Sequence, residues 1–210
     1  MEEVQGELLL KQDQETMQSI FTNSHIRLHK IPVETIQSAL KTTGLHPEEY
    51  SFKGRFDWLI RTIKDNELSS LYYGLDWVIR NKPREPHRKV VCHTDFHPGN
   101  IMVKDGKISG VLDWSGFMIE DPALDVGFTK VLGTIAAPLI WPEIDWLRLV
   151  ERYYEGYLAK NPVDIQCVRY YEAFRVLQAM VEGLMGHDAW SQPLIFSELT
   201  RSFKEKTESI

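Results

Sequence analysis

Between residues 89 and 114 the spacing of apolar side chains changes from a helical to a β-type period, and this change most constrains the fold. The runs KVVCH at 89–93 and NIMVK at 100–104 are short and apolar, as buried strands are. Asp105 and Gly106 then give the two-residue signature of a tight hairpin turn before a further run, KISGVLDW. The sequence therefore predicts one small β insert over residues 89–114.

Apolar residues recur at helical spacing on both sides of this insert. Asp121 is a good N-cap residue and Pro122 suits the first position of a helix, so a helix is expected to begin there. The other predicted helices cover residues 13–30, 33–42, 55–64, 67–82, 143–160, 163–186 and 192–206. No repeat or low-complexity tract divides the chain. We therefore expect a single α+β unit that is mostly α.

The composition excludes some classes of partner. The formal net charge of −6 argues against broad binding to nucleic-acid phosphates. No apolar run approaches the roughly 20 residues that a membrane-spanning helix needs. The N-terminus begins with acidic residues rather than the basic residues of a secretory signal, and Cys92 and Cys167 lack the spacing of a metal site. We expect a cytoplasmic protein with no nucleic-acid or membrane partner.

The stretch HTDFHPGN at residues 93–100 concentrates side chains that handle protons or metal ions. Phosphoryl transfer from ATP needs a carboxylate that aligns the acceptor hydroxyl, and Mg²⁺ held by hard oxygen ligands. Asp95 offers the carboxylate, Asn100 a carbonyl oxygen from the same loop, and Asp113 a charged oxygen after the next strand. A His-x-Asp-x-x-x-x-Asn loop, followed by an Asp after a hairpin, is the arrangement of protein kinases.

The segments HTDFHPGNIMV and VLDWSGFMIEDPALDVG resemble the aminoglycoside phosphotransferase and choline kinase group of kinase-like enzymes. The resemblance implies the C-terminal lobe of the protein-kinase-like fold and ATP-dependent transfer of phosphate to a small hydroxyl-bearing acceptor. It implies that Asp95 is the catalytic base and that Asn100 and Asp113 bind Mg²⁺. Thr94 replaces the glycine that is commonest in the family, and we expect an extended backbone there, which threonine tolerates.

The resemblance also implies residues that brace the catalytic loop. His93 would brace the loop directly, and Asp125 would hold it by hydrogen bonds. His97 is interpreted as a further loop-bracing residue rather than a metal ligand. The tryptophans expected in the core, rather than in a stacking platform, are Trp58, Trp77, Trp141, Trp146 and Trp190.

Two N-terminal segments extend the resemblance. HIRLHKIP at residues 25–32 resembles an early helix of this lobe, and MEEVQGELL resembles the hinge that leads into it. The interpretation is a hinge-like strand over residues 1–12 and a helical phosphotransferase lobe over residues 13–210. No Gly-rich phosphate cover with a strand lysine precedes the catalytic loop, so the nucleotide-covering N-terminal lobe is expected to be absent from this chain. The chain alone is then expected to be a poor kinase that self-associates or needs a separate N-lobe chain.

The acceptor and the choice between ATP and GTP stay open at this stage. In the family that the sequence resembles, the helical lobe often grips cationic acceptors with acidic side chains. The candidates are Glu120, Glu172, Glu182 and Asp188, although acids on a solvated helix face are common. Aminoglycosides, macrolides, choline-like amines, homoserine and sugars are the acceptors left open.

Two alternative functions are open. His93, Asp95 and His97 alternate, so in an extended segment they would share one face and could bind Zn²⁺ in a metal hydrolase. GHD at 186–188 could add ligands, but this interpretation leaves Asn100 and Asp113 unexplained. The other alternative is a truncated, non-catalytic lobe that binds a small molecule or a partner.

Overall fold

The computed structural model describes residues 4–86 and 88–208. Within that part of the chain most residues are helical, and two small antiparallel sheets complete the fold. The α-helices are α1 Gln14–Leu28, α2 Val33–Thr42, α3 Phe52–Asp65, α4 Tyr72–Arg80, α5 Pro122–Val131, α6 Ala137–Ile140, α7 Trp146–Leu158, α8 Ile165–Leu184 and α9 Pro193–Glu208. The predicted mostly helical α+β class is confirmed.

Acidic side chains cap the start of four helices. Asp13 and Asp121 accept hydrogen bonds from backbone N–H groups in the first turns of α1 and α5. Asp145 and Asp164 do the same for α7 and α8. The first N–H groups of a helix have no partner within the helix, so a capping carboxylate both pairs them and fixes where the helix begins. The predicted start at Asp121 is confirmed.

The described residues form two antiparallel sheets. Four of their strands lie between α4 and α5 in the chain, and the fifth strand lies before α1. The strands are β1 Glu7–Leu8, β2 Val90–Cys92, β3 Ile101–Lys104, β4 Lys107–Val111 and β5 Met118–Glu120. One sheet has the order β1-β3-β4, and the other pairs β2 with β5. The hairpin between β3 and β4 turns at Asp105 and Gly106, whose φ values of 53° and 69° are those of the predicted tight turn.

The sheets extend beyond the predicted insert over residues 89–114. β1 and β5 both lie outside those limits, and each completes a sheet by pairing with a strand of the insert. A strand of two or three residues shows no period of its own, so the sequence pattern could not reveal either one. β1 lies in the segment interpreted as a hinge, of which Met1–Glu3 fall outside the described residues.

α8 is the central helix, and it packs against α3, α4, α5 and α9. Most residues of α8 are buried, because other helices surround it. Its apolar residues therefore lie on all sides of the helix rather than along one face. α5 packs between α7 and α8 and also contacts β2. The loop that follows β2 therefore meets the buried side of α5, and this contact positions the candidate site.

The continuous helical segment Pro122–Ile140 is long and apolar enough to cross a membrane by length and composition alone. The expectation that no apolar run approaches that length was therefore wrong. The segment consists of α5, a π-helical turn at Leu132–Ala136 and α6. Most of it is buried inside the protein, because α5 and the π-helical turn pack on neighbouring helices. Its apolar character is that of a core helix.

Candidate active site

Asp95 and Asn100 lie at the two ends of a short loop and are joined by hydrogen bonds. Strand β2 ends at Cys92, and a 3-10 turn at Pro98–Asn100 brings the chain back to β3. The Asn100 amide Nδ2 donates to the backbone oxygen of Asp95 at 2.9 Å and to its carboxylate Oδ2 at 3.0 Å. The asparagine therefore fixes the direction of the Asp95 carboxylate.

Asp113 approaches this loop from the end of β4. The backbone N–H of Leu112 donates to the backbone oxygen of Asn100 at 2.8 Å. The residue before Asp113 is therefore bonded to the end of the loop. The Asp113 carboxylate accepts through Oδ1 from the N–H and hydroxyl of Ser115, at 3.4 and 2.6 Å. Among the described residues nothing donates to Asp113 Oδ2 or to Asn100 Oδ1. Two hard oxygen atoms are thus available, and this donor set fits Mg²⁺.

His93 connects the catalytic loop to the strand that leads to Asp113. Its ring is buried, Nε2 donates to the backbone oxygen of Leu112 at 2.7 Å, and Nδ1 accepts from the Asp95 N–H at 3.3 Å. Both ring nitrogens are occupied, so His93 cannot also bind Zn²⁺. This geometry disfavours the hydrolase alternative.

His97 stabilises the 3-10 turn and adds to the electrostatics of Asp95. Its Nδ1 accepts from the N–H of Gly99 at 3.1 Å, and its Nε2 lies 3.7 Å from Asp95 Oδ2. Burial alone would raise the pKa of Asp95, but His97, Arg175 and the Asn100 amide together lower it. Asp95 is therefore ionised at neutral pH.

Asp125, on α5, holds the catalytic loop from beneath. Its Oδ2 accepts from the backbone N–H of His93 and its Oδ1 accepts from the N–H of Thr94, each at 2.7 Å. Two histidines also donate hydrogen bonds to Asp125. They are His25 of α1 and His29 directly after it, and the Nε2 atom of each lies 3.0 Å from Asp125 Oδ2. A fully buried carboxylate is thus surrounded by four N–H groups.

Two tyrosines of α7 support these histidines. The hydroxyl of Tyr153 lies 2.7 Å from His25 Nδ1, and that of Tyr157 lies 2.6 Å from His29 Nδ1. Because Asp125 only accepts, each Nε2 carries a proton, and the neutral ring of His25 accepts the Tyr153 O–H at Nδ1. Burial is the main reason why the pKa of His25 falls to about 4.

The same three groups could also be considered as a metal site. The ligand atoms of His25, His29 and Asp125 all lie within 4.8 Å of one another. Burial would raise the pKa of Asp125, yet the histidines hold it well below its usual value, so the carboxylate is charged. Its oxygens already accept four hydrogen bonds, and each histidine nitrogen has a partner. The cluster is therefore complete as a hydrogen-bonded network. Both histidines lie in the segment HIRLHKIP, where the resemblance implied no role for them.

Thr94 does not have the expected extended backbone. Its φ is 68°, in the left-handed region that glycine adopts freely and that is strained for a β-branched residue. The expectation that threonine is tolerated through extended geometry was therefore wrong. The strain is offset locally, because the Thr94 N–H donates to Asp125 and its hydroxyl donates to the backbone oxygen of Gly116 at 2.8 Å.

A cavity of about 450 Å³ opens beside Asp95 and Asp113. We call it the acceptor cleft, and it is within the size range of small-molecule sites. Its wall includes polar side chains from α3 and α8 that sequence reasoning missed, namely Arg55, Arg175 and Gln178. These residues are about 40 to 80 positions from Asp95 in the chain, and only the packing of α3 and α8 brings them to the loop.

The four acids considered for acceptor binding lie in different places. Glu182 lines the acceptor cleft, and Asp188 lines a neighbouring cavity between α6 and α9. Glu120 is buried on β5, where it accepts from the N–H of Phe52 at the start of α3. Glu172 is buried on α8 between two lysines, Lys130 and Lys206, and neither Glu120 nor Glu172 lines the acceptor cleft.

Two of the tryptophans expected in the core also border the acceptor cleft. Trp190 is almost fully buried, with its ring under the Arg175 guanidinium at 4.8 Å, while Trp141 is partly buried and lies near His97. They give the acceptor cleft an aromatic part of its wall, with Trp141 next to the charged loop at His97.

The fold and this site define a class of protein. A helical unit with a small β insert, an Asp–Asn loop and an Asp after the hairpin is the catalytic-loop arrangement of the protein-kinase-like fold. The sequence model of the Phosphotransferase enzyme family matches residues 26–174, and the chain belongs to this family.

Solved structures of similar fold include several antibiotic phosphotransferases. An aminoglycoside-3'-phosphotransferase of type VIII is 16% identical with a TM-score of 0.59, covering 84% of this chain and 66% of its own. A spectinomycin phosphotransferase in complex with ADP and spectinomycin is 19% identical with a TM-score of 0.55, covering 97% of this chain and 65% of its own.

A third likeness is to a thermostable mutant of an aminoglycoside phosphotransferase, in a ternary complex with AMP-PNP and hygromycin B. It is 16% identical with a TM-score of 0.60, covering 95% of this chain and 70% of its own. At these identities the likenesses show a shared fold. The chain spans about two thirds of the length of these structural relatives.

Proposed function

We propose that this chain carries the catalytic lobe of a nucleotide-dependent phosphotransferase that phosphorylates a hydroxyl group of a small molecule. One observation carries the proposal: the Asp95 carboxylate, aimed by the Asn100 amide, faces the same cleft as Asp113. A base and a metal-binding carboxylate that line one small cavity are what phosphoryl transfer requires. Membership of the Phosphotransferase enzyme family supports it.

Each residue would have a defined task. Asp95 would accept the proton of the acceptor hydroxyl, and its lowered pKa keeps it ionised for that step. Asp113 and Asn100 would hold Mg²⁺, which, when bound with the nucleotide, supplies charge neutralisation at the phosphate oxygens. His93 and Asp125 would keep the two ends of the loop in register, through hydrogen bonds to Leu112 and to the loop backbone.

The nucleotide and the extent of the catalytic unit are part of the proposal. Structural relatives were solved with ADP, AMP-PNP and GDP, which supports a nucleoside triphosphate as donor, ATP or GTP. We propose that residues 13–210 correspond to the C-terminal lobe of the kinase-like fold, reached through a hinge over residues 1–12. A phosphate-covering lobe, in the same longer protein or in a partner chain, would complete the nucleotide site and raise the activity.

Metal-dependent nucleotide binding tests this function directly. Calorimetry of the 210-residue chain with ATP and with GTP, in Mg²⁺ and in EDTA, should show binding that requires Mg²⁺. Asp113→Asn should remove that binding, while Asp95→Asn should leave it nearly unchanged and abolish phosphate release, because it removes the proton acceptor and keeps the shape. The matched control is Asp105→Asn, which changes an exposed aspartate that also has a positive φ.

Two outcomes would contradict the proposal. Absence of Mg²⁺-dependent binding with either nucleotide up to about 10 mM would exclude even weak affinity of roughly 3 kcal/mol. Equal effects of Asp113→Asn and Asp105→Asn would show that Asp113 does not bind the metal.

A further inference from the structure

Arg55 places a positive charge at the acceptor cleft without an acidic partner. It lies on α3, is partly buried, and lines the cleft beside Thr94 and Asp95. Its Nη2 donates to the backbone oxygen of Gly116 at 3.1 Å and lies 3.4 Å from the Thr94 hydroxyl. Within residues 4–86 and 88–208, no aspartate or glutamate forms an ion pair with it, and its Nη1 and Nε donate to no described group.

A second arginine lies close to the first. Arg175, on α8, is almost fully buried, and its guanidinium lies 5.8 Å from the centroid of the Phe128 ring, over which Arg55 lies at 5.5 Å. The two guanidinium groups therefore share one aromatic platform. Burial and the charge of Arg175 together lower the pKa of Arg55 to about 10, although the charges of Glu182 and Asp125 act in the opposite direction. An anion near Arg55 would relieve both effects.

The acid nearest to these arginines is already paired. Glu182 accepts from Arg175 Nη1 through Oε2 at 3.0 Å and from Gln178 Nε2 through Oε1 at 2.6 Å. Each of its oxygens already accepts a hydrogen bond, so an ammonium group of an acceptor would share Glu182 with Arg175 and Gln178. Apart from Asp95 and Asp113, the aspartates and glutamates and the arginines that line the cleft are two arginines and this one glutamate.

One part of the cleft wall is apolar. Leu132, Ala136 and Ile140 line it from the helical segment after α5, and Trp141 and Trp190 add aromatic surface. A polycationic, strongly hydrated amine would lose its water against this part of the wall without gaining a carboxylate from it. The desolvation of an unpaired charge is costly, so this wall favours an acceptor with an apolar body.

We propose that the acceptor cleft binds a hydroxyl compound that carries an anionic oxygen group, a carboxylate or a phosphate ester, together with an apolar body. Arg55 binds the anionic group, and the tryptophans contact the apolar part. This inference rests on the proposed function, because the hydroxyl is placed at Asp95 for phosphorylation. Arginine suits the role, since its planar fork of N–H donors pairs with two oxygens at once.

The same chemistry could come from the terminal phosphate of the nucleotide. The position of Arg55 favours the acceptor, because it shares a platform with Arg175 and lies on the side of Asp95 that is lined by α3 and α8. The experiment must therefore measure acceptor and nucleotide binding separately.

Three matched probes separate acceptor classes by charge alone. 3-Phenyllactate, 3-phenylpropane-1,2-diol and phenylalaninol share a hydroxyl and a phenyl ring, and they are anionic, neutral and cationic at pH 7.5. Binding to the 210-residue chain is measured by ligand-observed NMR without nucleotide, so the result does not depend on kinase activity. We expect 3-phenyllactate to bind about tenfold more tightly than the diol, and phenylalaninol more weakly than either.

Variants assign the preference to Arg55. Arg55→Gln should remove the preference for 3-phenyllactate, while Arg55→Lys should retain part of it. The control is Arg61→Gln, an exposed arginine on the same helix, which should change nothing. A thermal melt of each variant excludes loss of folding, and Arg55→Lys keeps the test valid if Arg55→Gln is unfolded.

The outcomes separate this inference from the proposed function. Preference for the amine, equal affinity for the three probes, or binding of none of them would overturn the anion site. A loss of MgATP affinity in Arg55→Gln, with the 3-phenyllactate preference intact, would assign Arg55 to the nucleotide instead. Failure of nucleotide binding in the unmodified chain contradicts the proposed function alone, because the probes are measured without nucleotide.

Discussion

His25 and His29, four residues apart at the C-terminal end of α1, both point their Nε2 atoms at one oxygen of Asp125, each at 3.0 Å. The same carboxylate accepts the backbone N–H groups of His93 and Thr94. The helix that opens the lobe is therefore connected to the catalytic loop through a single buried charge.

Asp125→Asn should destabilise the fold strongly. The substitution replaces one of the two acceptor oxygens with an NH₂ group. That group faces N–H donors, so buried donors would be left unpaired. We expect the free energy of unfolding to fall by about 3 to 5 kcal/mol, as for loss of one partner in a buried network. Urea denaturation measures this, with Asp57→Asn, at a partly exposed position of α3, as the control. A loss below about 1 kcal/mol would show that the network is not cooperative.

Mild acid should destabilise the protein through His25. Its pKa is about 4 in the folded state and 6.5 ordinarily, so the unfolded chain binds a proton first as the pH falls. Stability is then present in full above pH 6.5 and is lost as the pH falls from 6.5 toward 4. We expect a loss of about 2 kcal/mol between pH 7 and pH 5, measured by urea denaturation. His25→Gln should flatten this dependence, and a stability that rises on acidification would contradict the prediction.

Tyr153→Phe should show that the tyrosines support the histidines. The change removes only the hydroxyl that lies 2.7 Å from His25 Nδ1 and leaves a buried nitrogen without a donor. We expect a loss of about 1 to 3 kcal/mol in unfolding free energy. Tyr154→Phe, at a partly exposed neighbouring position of α7, is the matched control. Equal losses in the two variants would indicate that the hydroxyl contributes nothing specific.

Replacement of Thr94 should separate backbone strain from side-chain contacts. Thr94→Gly and Thr94→Ala both lose the hydroxyl bond to Gly116, but only glycine adopts a φ of 68° without strain. We expect Thr94→Gly to be about 1 kcal/mol more stable than Thr94→Ala. Thermal or urea denaturation of the pair provides the comparison. If alanine is the more stable of the two, the left-handed conformation is wrong.

Glu172 and Glu182 should differ in what their loss affects. Glu172→Gln removes the partner of Lys130 and Lys206 and should lower stability while leaving the binding of small probes at the acceptor cleft unchanged. Glu182→Gln frees Arg175 at the cleft wall and should increase the affinity for an anionic probe. Denaturation and NMR titration of 3-phenyllactate measure the two effects. A change of probe affinity in Glu172→Gln would contradict the assignment.

Local sequence patterns are sufficient to predict most of the helices, the hairpin and the loop from His93 to Asn100. Helix starts such as Asp121, and the turn at Asp105 and Gly106, depend on interactions within a few residues, so a local pattern predicts them. The loop from His93 to Asn100 is also local, because its residue types and spacing carry the chemistry without knowledge of the rest of the chain.

Which distant residues meet at that loop depends on how the helices and sheets pack together. β5 is too short to show a period, and its pairing with β2 follows from the packing of the insert. The contacts of His25 with Asp125, and of Arg55 with the loop at Thr94, span 100 and 39 residues. The spacing of residues along the chain does not predict contacts over such distances. The left-handed backbone of Thr94 is likewise imposed by its hydrogen bonds to Asp125 and Gly116, against its own local preference.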